Sequence, residues 1–389
     1  MDYFEKSIEI HKTLKGKLSI QSKINLITKE DLSVAYSPGV AGPSGVIAKN
    51  PEAVWDLTIK ANTVAVVSDG SAVLGLGNIG PEAAIPVMEG KAILFKKFAG
   101  IDAFPICLAT QDTDEIIETV KRIAPVFGGI NLEDISAPRS FEIEERLQNI
   151  GIPVFHDDQH GTAIVLLAAL INSAKVLNKK IEDLKVVVNG AGAAGIAITR
   201  MLRCINFDDT VCVPINDIIV CDSKGIIHKE RDNLTAVKKG LLNYSNRENR
   251  KGDLKDAIKG MDVFIGVSVG NLLTTEDIKT MNPDSIILAM ANPIPEIMPE
   301  EALKGGAAIV GTGRSDFHNQ VNNVLAFPGI FRGALNIRAK RITPKMKLAA
   351  AYALADCIEH PVARKILPST LDMQVVGKVS KAVMEAHEE

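Results

Sequence analysis

"LKVVVNGAGAAGIAITRMLRCI", residues 184–205, is the stretch that decides the fold. Its valines predict a buried strand, the glycines follow that strand directly, and the apolar run after them predicts a helix. In such a unit the first glycine permits a tight turn, the second lets the backbone approach a pyrophosphate, and the third lets helix and strand pack closely. The stretch therefore predicts a dinucleotide-binding turn. The residues expected to bind the cofactor there are Gly190, Gly192, Ala193, Ala194 and Gly195.

The segments after this turn continue the same alternation. Polar or helical segments separate four strand-like runs, "DIIVCD", "MDVFIGV", "DSIILAM" and "AAIVGT". This order is typical of parallel strands with helices on both faces of the sheet. Residues 343–358 and 371–387 predict two closing helices. We therefore predict a doubly wound parallel sheet, a Rossmann NAD(P)-binding domain, over residues 162–389.

Asp222 ends the second predicted strand of this domain and is the expected ribose ligand. A carboxylate at this point accepts hydrogen bonds from the ribose hydroxyls and repels a 2′-phosphate, which favours NAD over NADP. Lys224 lies two residues further on, and its flexible ammonium is able to contact a phosphate. NAD is therefore the predicted cofactor, and NADP stays open as the alternative.

The first 161 residues predict a separate α/β domain. The run "NTVAVVSDGSAVLGLG" is interpreted as two strands around an Asp-Gly turn, and a helix is expected from Pro81 to Gly100, with Pro86 as a potential kink. "GLGNIG", residues 75–80, also matches the dinucleotide pattern, but it lies beyond a turn, so we interpret its glycines as turn residues. Residues 162–177 are apolar nearly all round and predict a buried helix at the boundary between the domains.

Two pairs of acids follow two neighbouring predicted strands of the first domain: Glu133 and Asp134 in "NLED", and Asp157 and Asp158 in "IPVFHDDQHGTA". Either pair alone would be interpreted as solvated groups or helix caps. Together they place four carboxylates at one edge of a parallel sheet, where like charges repel unless a cation neutralises them. Oxygen ligands suit Mg²⁺ or Mn²⁺. The flanking histidines are possible ligands, although an all-oxygen site explains the cluster without them.

Composition limits the class of protein. The chain has 389 residues, 46% of them hydrophobic, and a net charge of −3, and it contains no basic block, which argues against nucleic-acid binding and favours small-molecule partners. Neither a signal peptide nor a membrane-spanning run is evident in the sequence. The five cysteines form no CxxC pair and are expected to be reduced, which predicts a cytoplasmic protein.

A metal, a dinucleotide and a basic side chain together indicate oxidation of a hydroxy acid followed by loss of CO₂. Seven motifs occur in order along the chain: "AYSPGVAGP", "VVSDGSAVLGLGNIGPEAAIPVMEGKAILFKKFAGIDAFPICL", "NLEDISAPRSFEIEERL", "IPVFHDDQHGTA", "NGAGAAG", "ILAMANPIPE" and "VNNVLAFPGIFRGAL". On these motifs the sequence resembles the short, bacterial-type malic enzymes over roughly residues 15–385. The resemblance implies conversion of L-malate to pyruvate and CO₂ with NAD or NADP and a divalent metal.

The resemblance also implies roles for individual residues. Lys91 would take the proton of the malate hydroxyl, Tyr36 would help to protonate enolpyruvate, and Asp157 would orient the lysine. Asn292 would contact the cofactor and the substrate, and Asn323 would contact the substrate. The implied metal ligands are Glu133, Asp134 and Asp158.

Two matters stay open at this point. Larger relatives carry an arginine that clamps a malate carboxylate in the turn where this chain has Ser71 and Ala72, so the group that holds this carboxylate is not identified. The alternative functions are another decarboxylating dehydrogenase, acting on tartrate or a substituted malate, and a catalytically silent dinucleotide-binding regulator. Retention of all the implied catalytic and metal-binding residues argues against the regulator. A homodimer or larger homo-oligomer is expected, as is common in the family.

Overall fold

The computed structural model of the chain describes residues 3–73, 75–207 and 212–387. The first half contains the strands β1 (Thr63–Ser68), β2 (Asp102–Cys107), β3 (Gly129–Leu132) and β4 (Val154–His156). They form one parallel sheet in the order β2-β1-β3-β4. The helices of this half are α1 (Tyr3–Leu14), α2 (Lys29–Ala35), α3 (Ala41–Lys49), α4 (Val54–Leu57), α5 (Gly80–Ala99), α6 (Thr113–Ile123) and α7 (Arg139–Leu147).

The second half begins with α8 (Asp157–Leu177) and contains a six-stranded sheet. Its strands are β5 (Lys185–Asn189), β6 (Asp217–Asp222), β7 (Gly225–Ile226), β8 (Val263–Gly266), β9 (Ser285–Ala289) and β10 (Ala307–Thr312). Their order is β10-β9-β8-β5-β6-β7, parallel except for the short β7, as the predicted doubly wound fold requires. The helices are α9 (Ala193–Leu202), α10 (Ala236–Leu241), α11 (Leu254–Ile258), α12 (Thr275–Ile278), α13 (Pro299–Lys304), α14 (Phe327–Asn336), α15 (Pro344–Ala355) and α16 (Gln374–Glu385).

Helix α8 is the central helix of the molecule. Its residues from Ala163 to Leu170 are all buried, and they belong to a core cluster that also includes side chains of both sheets. Among the described residues it is the one helix long and apolar enough to cross a membrane, but 67% of its apolar window is buried inside the protein, so it is a core helix. It starts at Asp157, so the predicted boundary at residue 162 falls within the helix and stays a prediction.

The turn after β1 differs from the predicted hairpin. The described residues of 69–80 contain no second strand; Val73 and Gly77 form a single antiparallel bridge there. Gly75 and Gly77 both have φ of +75°, which favours glycine, so these glycines do serve a tight turn. Helix α5 then runs unbroken past Pro86, so the expected kink does not split it.

The expectation that all five cysteines are reduced is wrong for two of them. Cys204 and Cys212, eight positions apart in the sequence after α9, form a disulfide. Both side chains are buried, and their apolar surroundings gave no sign of the pairing. Cys107, Cys221 and Cys357 are free thiols.

Candidate active site

The four predicted acids meet at the carboxyl edge of the first sheet. Strands β3 and β4 are parallel neighbours with Leu132 opposite His156, so the residues that follow each strand come to the same place. One oxygen each of Glu133, Asp134 and Asp158 lies within 4.8 Å of the others. The backbone N–H of Asp134 also donates to Asp158 Oδ2 at 2.8 Å. The structure therefore brings together the three acids expected to bind metal.

The chemistry of this cluster suits a hard divalent cation. Burial, followed by the charges of Asp158 and Glu133, raises the pKa of Asp134 to about 9, and burial raises the pKa of Asp158 and Glu133 as well. Carboxylates that resist ionisation in this way need a positive charge to hold them as anions. Three carboxylates provide the oxygen donors that Mg²⁺ and Mn²⁺ prefer.

Neither nearby histidine belongs to this three-acid group. The Nε2 atom of His160 lies 2.8 Å from Glu144 Oε1, so this ring is engaged on another side of the helix start. His156 is fully buried, neither of its ring nitrogens has a hydrogen-bond partner among the described residues, and its Nδ1 is 3.9 Å from Asp158 Oδ2. The acids alone therefore form the candidate ligand set.

Lys91 lies on α5 beside the cluster. Its Nζ is 2.5 Å from Asp157 Oδ2, 2.8 Å from Glu133 Oε1 and 4.3 Å from the ring centroid of Phe327. Burial alone would lower the pKa of Lys91, but the charges of Asp157 and Glu133 raise it. Lys91 is therefore stabilised in its protonated form. A group that neutralises the charge of Glu133 reduces this stabilisation and lowers the pKa of Lys91.

Asp157 faces the lysine rather than the three-acid cluster. It is fully buried, and its Oδ2 accepts hydrogen bonds from Lys91 Nζ and from Asn323 Nδ2, both at 2.5 Å. A Cβ built on Gly161 would lie 1.9 Å from Asp157 Oδ1, so only a glycine leaves room for this carboxylate. Adjacent aspartates therefore point at different groups. Asn323 was expected to contact substrate, and in this structure its amide is engaged by Asp157.

Tyr36 is the expected catalytic residue that the structure does not bring to the cluster. It follows α2, its side chain is 69% exposed, and its hydroxyl has no hydrogen-bond partner among the described residues. The helices α1, α2 and α3 contain no buried residue. The segment that carries Tyr36 is thus the least packed part of the described chain.

The dinucleotide turn has the expected geometry. A Cβ on Gly195 would lie 1.7 Å from the carbonyl oxygen of Gly190, and one on Gly190 would lie 2.5 Å from the oxygen of Val267. A Cβ on Gly192 would meet nothing within 4 Å, so the space beside this residue is open. Helix α9 begins at Ala193, and its free N–H groups are suited to a phosphate. The turn therefore fits a dinucleotide pyrophosphate.

Asp222 lies at the end of β6 as predicted, but both of its oxygens are occupied. Arg231 donates to Oδ1 at 2.8 Å and to Oδ2 at 3.1 Å, Lys238 donates to Oδ2 at 2.6 Å, and the N–H of Lys224 donates to Oδ1 at 2.9 Å. Burial opposes ionisation, but the bonds from Arg231 and Lys238 lower the pKa of Asp222 to about 2. The sequence analysis missed these two cations, which weaken the charge argument for NAD.

Asn292 lies where the two halves of the chain meet. A Cβ on Gly75, from the turn after β1, would lie 3.2 Å from the carbonyl oxygen of Asn292, and the side chain of Asn292 packs beside Gly313. Its Nδ2 donates to the oxygen of Met290 at 3.3 Å. The loop after β9 therefore contacts the turn after β1, and in that turn the N–H of Ala72 donates to the carbonyl oxygen of Asp134 at 2.9 Å.

Arg139 is a further residue that the sequence analysis missed. Its guanidinium lies 2.8 Å from the buried carboxylate of Asp69, 2.9 Å from Ser71 Oγ and 3.0 Å from Ser136 Oγ. These contacts join the loop after β1 to the loop after β3 that carries Asp134. Its position in "APRS" at the start of α7 is the one sequence signal, and it specifies none of these partners.

Comparisons with known proteins agree with this arrangement. Residues 15–148 match the family described as "Malic enzyme, N-terminal domain" and residues 159–387 match "Malic enzyme, NAD binding domain". The chain is 54% identical to the "Bifunctional malic/malolactic enzyme" of Bacillus subtilis, over 99% of this chain and 93% of that protein. It is 55% identical to the "NAD-dependent malic enzyme" of Geobacillus stearothermophilus, over 95% of this chain and 76% of that protein.

A solved structure gives the same answer. The crystal structure of the NAD-dependent malic enzyme from Thermotoga maritima superposes with a TM-score of 0.92 at 49% sequence identity, covering 97% of this chain and 98% of that one. Since the similarity covers 97% of this chain, it includes both sheets, the loops that carry the acids, helix α5 with Lys91, and the dinucleotide turn. The chain belongs to the malic enzyme family.

Proposed function

We propose that this malic enzyme oxidatively decarboxylates L-malate to pyruvate and CO₂ while NAD or NADP is reduced. The observation that carries the proposal is the pairing of Lys91 with Asp157 beside the three-acid cluster. A basic side chain and a candidate metal site at one sheet edge are what removal of a hydroxyl proton followed by loss of CO₂ requires. A silent regulator would gain nothing from burying these charges together.

Glu133, Asp134 and Asp158 would hold the divalent cation, Mg²⁺ or Mn²⁺. When bound, the cation supplies the positive charge that polarises the carbonyl group of the oxidised substrate, and NAD or NADP supplies the hydride acceptor. The support is the set of three oxygens within 4.8 Å and the upward shift of the pKa of each acid. The open space at Gly192 supports placement of the cofactor at the start of α9.

Lys91 accepts the proton of the malate hydroxyl at Nζ. For this it must first lose a proton, so the attraction of Asp157 and Glu133 sets how readily it becomes a base. Asp157 holds the nitrogen in a fixed position, and Asn323 in turn fixes Asp157. The ring of Phe327, 4.3 Å from Nζ, keeps water from one side of the nitrogen. Asn292, in the loop after β9, contacts substrate and cofactor.

The N-terminal surface, residues 3–49, is the expected interface of a homodimer or larger homo-oligomer. Its helices bury nothing, and it exposes large apolar side chains such as Tyr3 (80%), Ile20 (87%) and Ile27 (83%). An apolar surface of this kind marks a contact with another molecule. We propose that this other molecule is a second copy of the chain. Tyr36 lies within this surface, and its role in protonating enolpyruvate needs the cover that association provides.

Two further assignments belong with this proposal. We propose the domain boundary after residue 161; the family matches over residues 15–148 and 159–387 support a division close to this position. We also propose a cytoplasmic location, which the burial of the long apolar helix α8 supports.

A substrate panel tests the proposed function. The purified chain is incubated with Mn²⁺, NAD or NADP, and either L-malate, D-malate or tartrate, and reduced cofactor and ketoacid product are both quantified. The expected result is pyruvate and reduced cofactor from L-malate alone. Higher kcat/KM with tartrate would establish the other decarboxylating dehydrogenase. Tight cofactor binding without turnover of any of the three acids would establish the regulator.

A further inference from the structure

Glu296 is a buried carboxylate that the proposed chemistry does not use. It is fully buried, four residues after Asn292 in the loop that follows β9. Within the described part of the chain it forms no ion pair with a lysine, arginine or histidine. Instead, Oε1 accepts the backbone N–H of Ser268 at 3.0 Å and Oε2 accepts the N–H of Ala291 at 3.0 Å. A buried carboxylate without a cation is costly, so its retention here calls for a reason.

The fold makes room for this side chain in a specific way. A Cβ built on Gly266 would lie 2.3 Å from Glu296 Cδ, so the last residue of β8 has to be a glycine for the carboxylate to fit. The carbonyl oxygen of Glu296 also accepts the N–H groups of Leu272 and Leu273, at 2.8 and 3.0 Å. The loop after β8 and the loop after β9 are thus joined by both the side chain and the backbone of one residue.

The two amides bound by Glu296 lie next to two parts of the candidate site. Ser268 Oγ accepts a hydrogen bond from Asn189 Nδ2 at 2.8 Å, and the preceding Val267 packs against Gly190 of the dinucleotide turn. Ala291 directly precedes Asn292, the residue assigned to substrate and cofactor. The carboxylate therefore connects the wall of the dinucleotide turn with the loop that carries Asn292.

We propose that Glu296 is a positioning residue that sets the spacing between the dinucleotide turn and Asn292. Its two oxygens fix the peptides of Ser268 and Ala291 at once, and neither oxygen contacts a reacting group. This inference rests on the proposed function, because it assigns a purpose to the spacing that cofactor and substrate require. Displacement of Asn292 by a fraction of an ångström should weaken dinucleotide binding and lower kcat/KM without changing the three-acid cluster.

The test compares Glu296→Gln with Glu300→Gln, an exposed control four residues further on, in the first turn of α13. Glutamine keeps the size of the side chain but has only one acceptor oxygen. Its NH₂ group would face the backbone N–H of either Ser268 or Ala291, where no hydrogen bond is possible. The dissociation constant of NADH is measured by fluorescence titration, that of Mn²⁺ by calorimetry, and thermal unfolding is followed for each variant. We expect Glu296→Gln to raise the NADH constant and lower kcat/KM roughly tenfold or more, with Mn²⁺ binding and the pH–rate profile unchanged.

Gly266→Ala is the second variant, because its methyl group displaces the carboxylate without removing it. It should reproduce the effects of Glu296→Gln, and it decides the matter if the latter fails to fold. If a variant unfolded at a lower temperature but kept wild-type NADH binding and kinetics, Glu296 would be a structural residue only. If its pH–rate profile were shifted, Glu296 would take part in proton transfer. Either result overturns the proposal. If wild-type protein turned over no malate, the proposed function would fail, and the NADH titrations would still decide whether Glu296 positions the turn.

Discussion

Replacement of each adjacent aspartate in turn, Asp157→Asn and Asp158→Asn, should impair different properties of the enzyme. Both changes remove one negative charge and keep the shape of the side chain. Asp157 bonds to Lys91 and Asn323, whereas Asp158 lies with Glu133 and Asp134 in the candidate metal site. We expect Asp157→Asn to lower kcat with little change in Mn²⁺ affinity, and Asp158→Asn to weaken Mn²⁺ binding and thereby abolish turnover.

The size of the Asp157→Asn effect follows from the contacts of Lys91. Its Nζ lies 2.5 Å from Asp157 and 2.8 Å from Glu133, and at an effective dielectric constant of 20 each attraction is about 6 kcal/mol before desolvation. The change therefore removes about half of the electrostatic hold on the ammonium and lowers the pKa of Lys91. It also weakens the hydrogen bonds from Lys91 and Asn323, because a neutral amide oxygen is a weaker acceptor than a carboxylate. Loss of an oriented proton acceptor typically costs about 10²- to 10⁴-fold in rate, which is the expected fall in kcat.

The assay measures Mn²⁺ binding by calorimetry and kcat at saturating Mn²⁺ and malate for both variants. NADH binding and thermal unfolding serve as controls for the fold. The reasoning is refuted if Asp157→Asn weakens Mn²⁺ binding as much as Asp158→Asn while its kcat stays near the wild-type value. The two aspartates would then share one role, and Lys91 would need another partner to orient it.

Three further predictions concern the base, the metal site and the cofactor. Lys91→Ala should abolish malate oxidation, whereas Tyr36→Phe should mainly slow protonation of enolpyruvate, as measured by the exchange of pyruvate methyl protons. If the Tyr36→Phe variant reduced added oxaloacetate poorly but protonated enolpyruvate normally, the two roles would be reversed. The metal-free protein should lose stability as the pH rises from about 4 to about 9, because folded Asp134, with a pKa of about 9, binds a proton that the unfolded chain has released. Mn²⁺ should therefore raise the unfolding temperature more at pH 8 than at pH 6. An equal rise at both pH values would contradict this prediction. NAD should be preferred over NADP, Asp222→Ala should narrow this preference, and Lys238→Ala should lower kcat/KM for NADP more than for NAD. Since the pKa of Asp222 is about 2, this carboxylate keeps its charge between pH 6 and pH 8, where kcat/KM is to be measured with both cofactors.

The sequence predicted those parts of the fold that local patterns determine. The valine run, the glycine turn and the helix after Gly192 are adjacent in the chain, so their spacing alone indicates a dinucleotide-binding unit. The two acidic pairs were predicted to meet because parallel neighbouring strands end at one sheet edge, and Leu132 does lie opposite His156. The prediction of a second hairpin strand was wrong, because positive φ angles at Gly75 and Gly77 turn the chain instead of extending it.

The missed features depend on partners that are distant in sequence. Arg139 reaches Asp69 and Ser71 in a loop about 70 residues earlier, and Glu296 binds Ser268, 28 residues earlier. The disulfide of Cys204 and Cys212 joins two buried side chains, and their apolar surroundings gave no signal of the pairing. Tyr36 and Lys91 were identified by resemblance alone, because an isolated tyrosine or lysine is ordinarily a packing or solvated residue.

The most direct test of the account is the dependence of malate turnover on a divalent metal. The protein is stripped of metal with EDTA, and reduced cofactor and CO₂ released from L-malate are then measured before and after addition of Mn²⁺. The account predicts no turnover in the stripped protein and, after addition of Mn²⁺, equal amounts of reduced cofactor, CO₂ and pyruvate. Full activity in the stripped protein, or reduced cofactor without CO₂, would contradict the assignment of Glu133, Asp134 and Asp158 as the metal site of a decarboxylating enzyme.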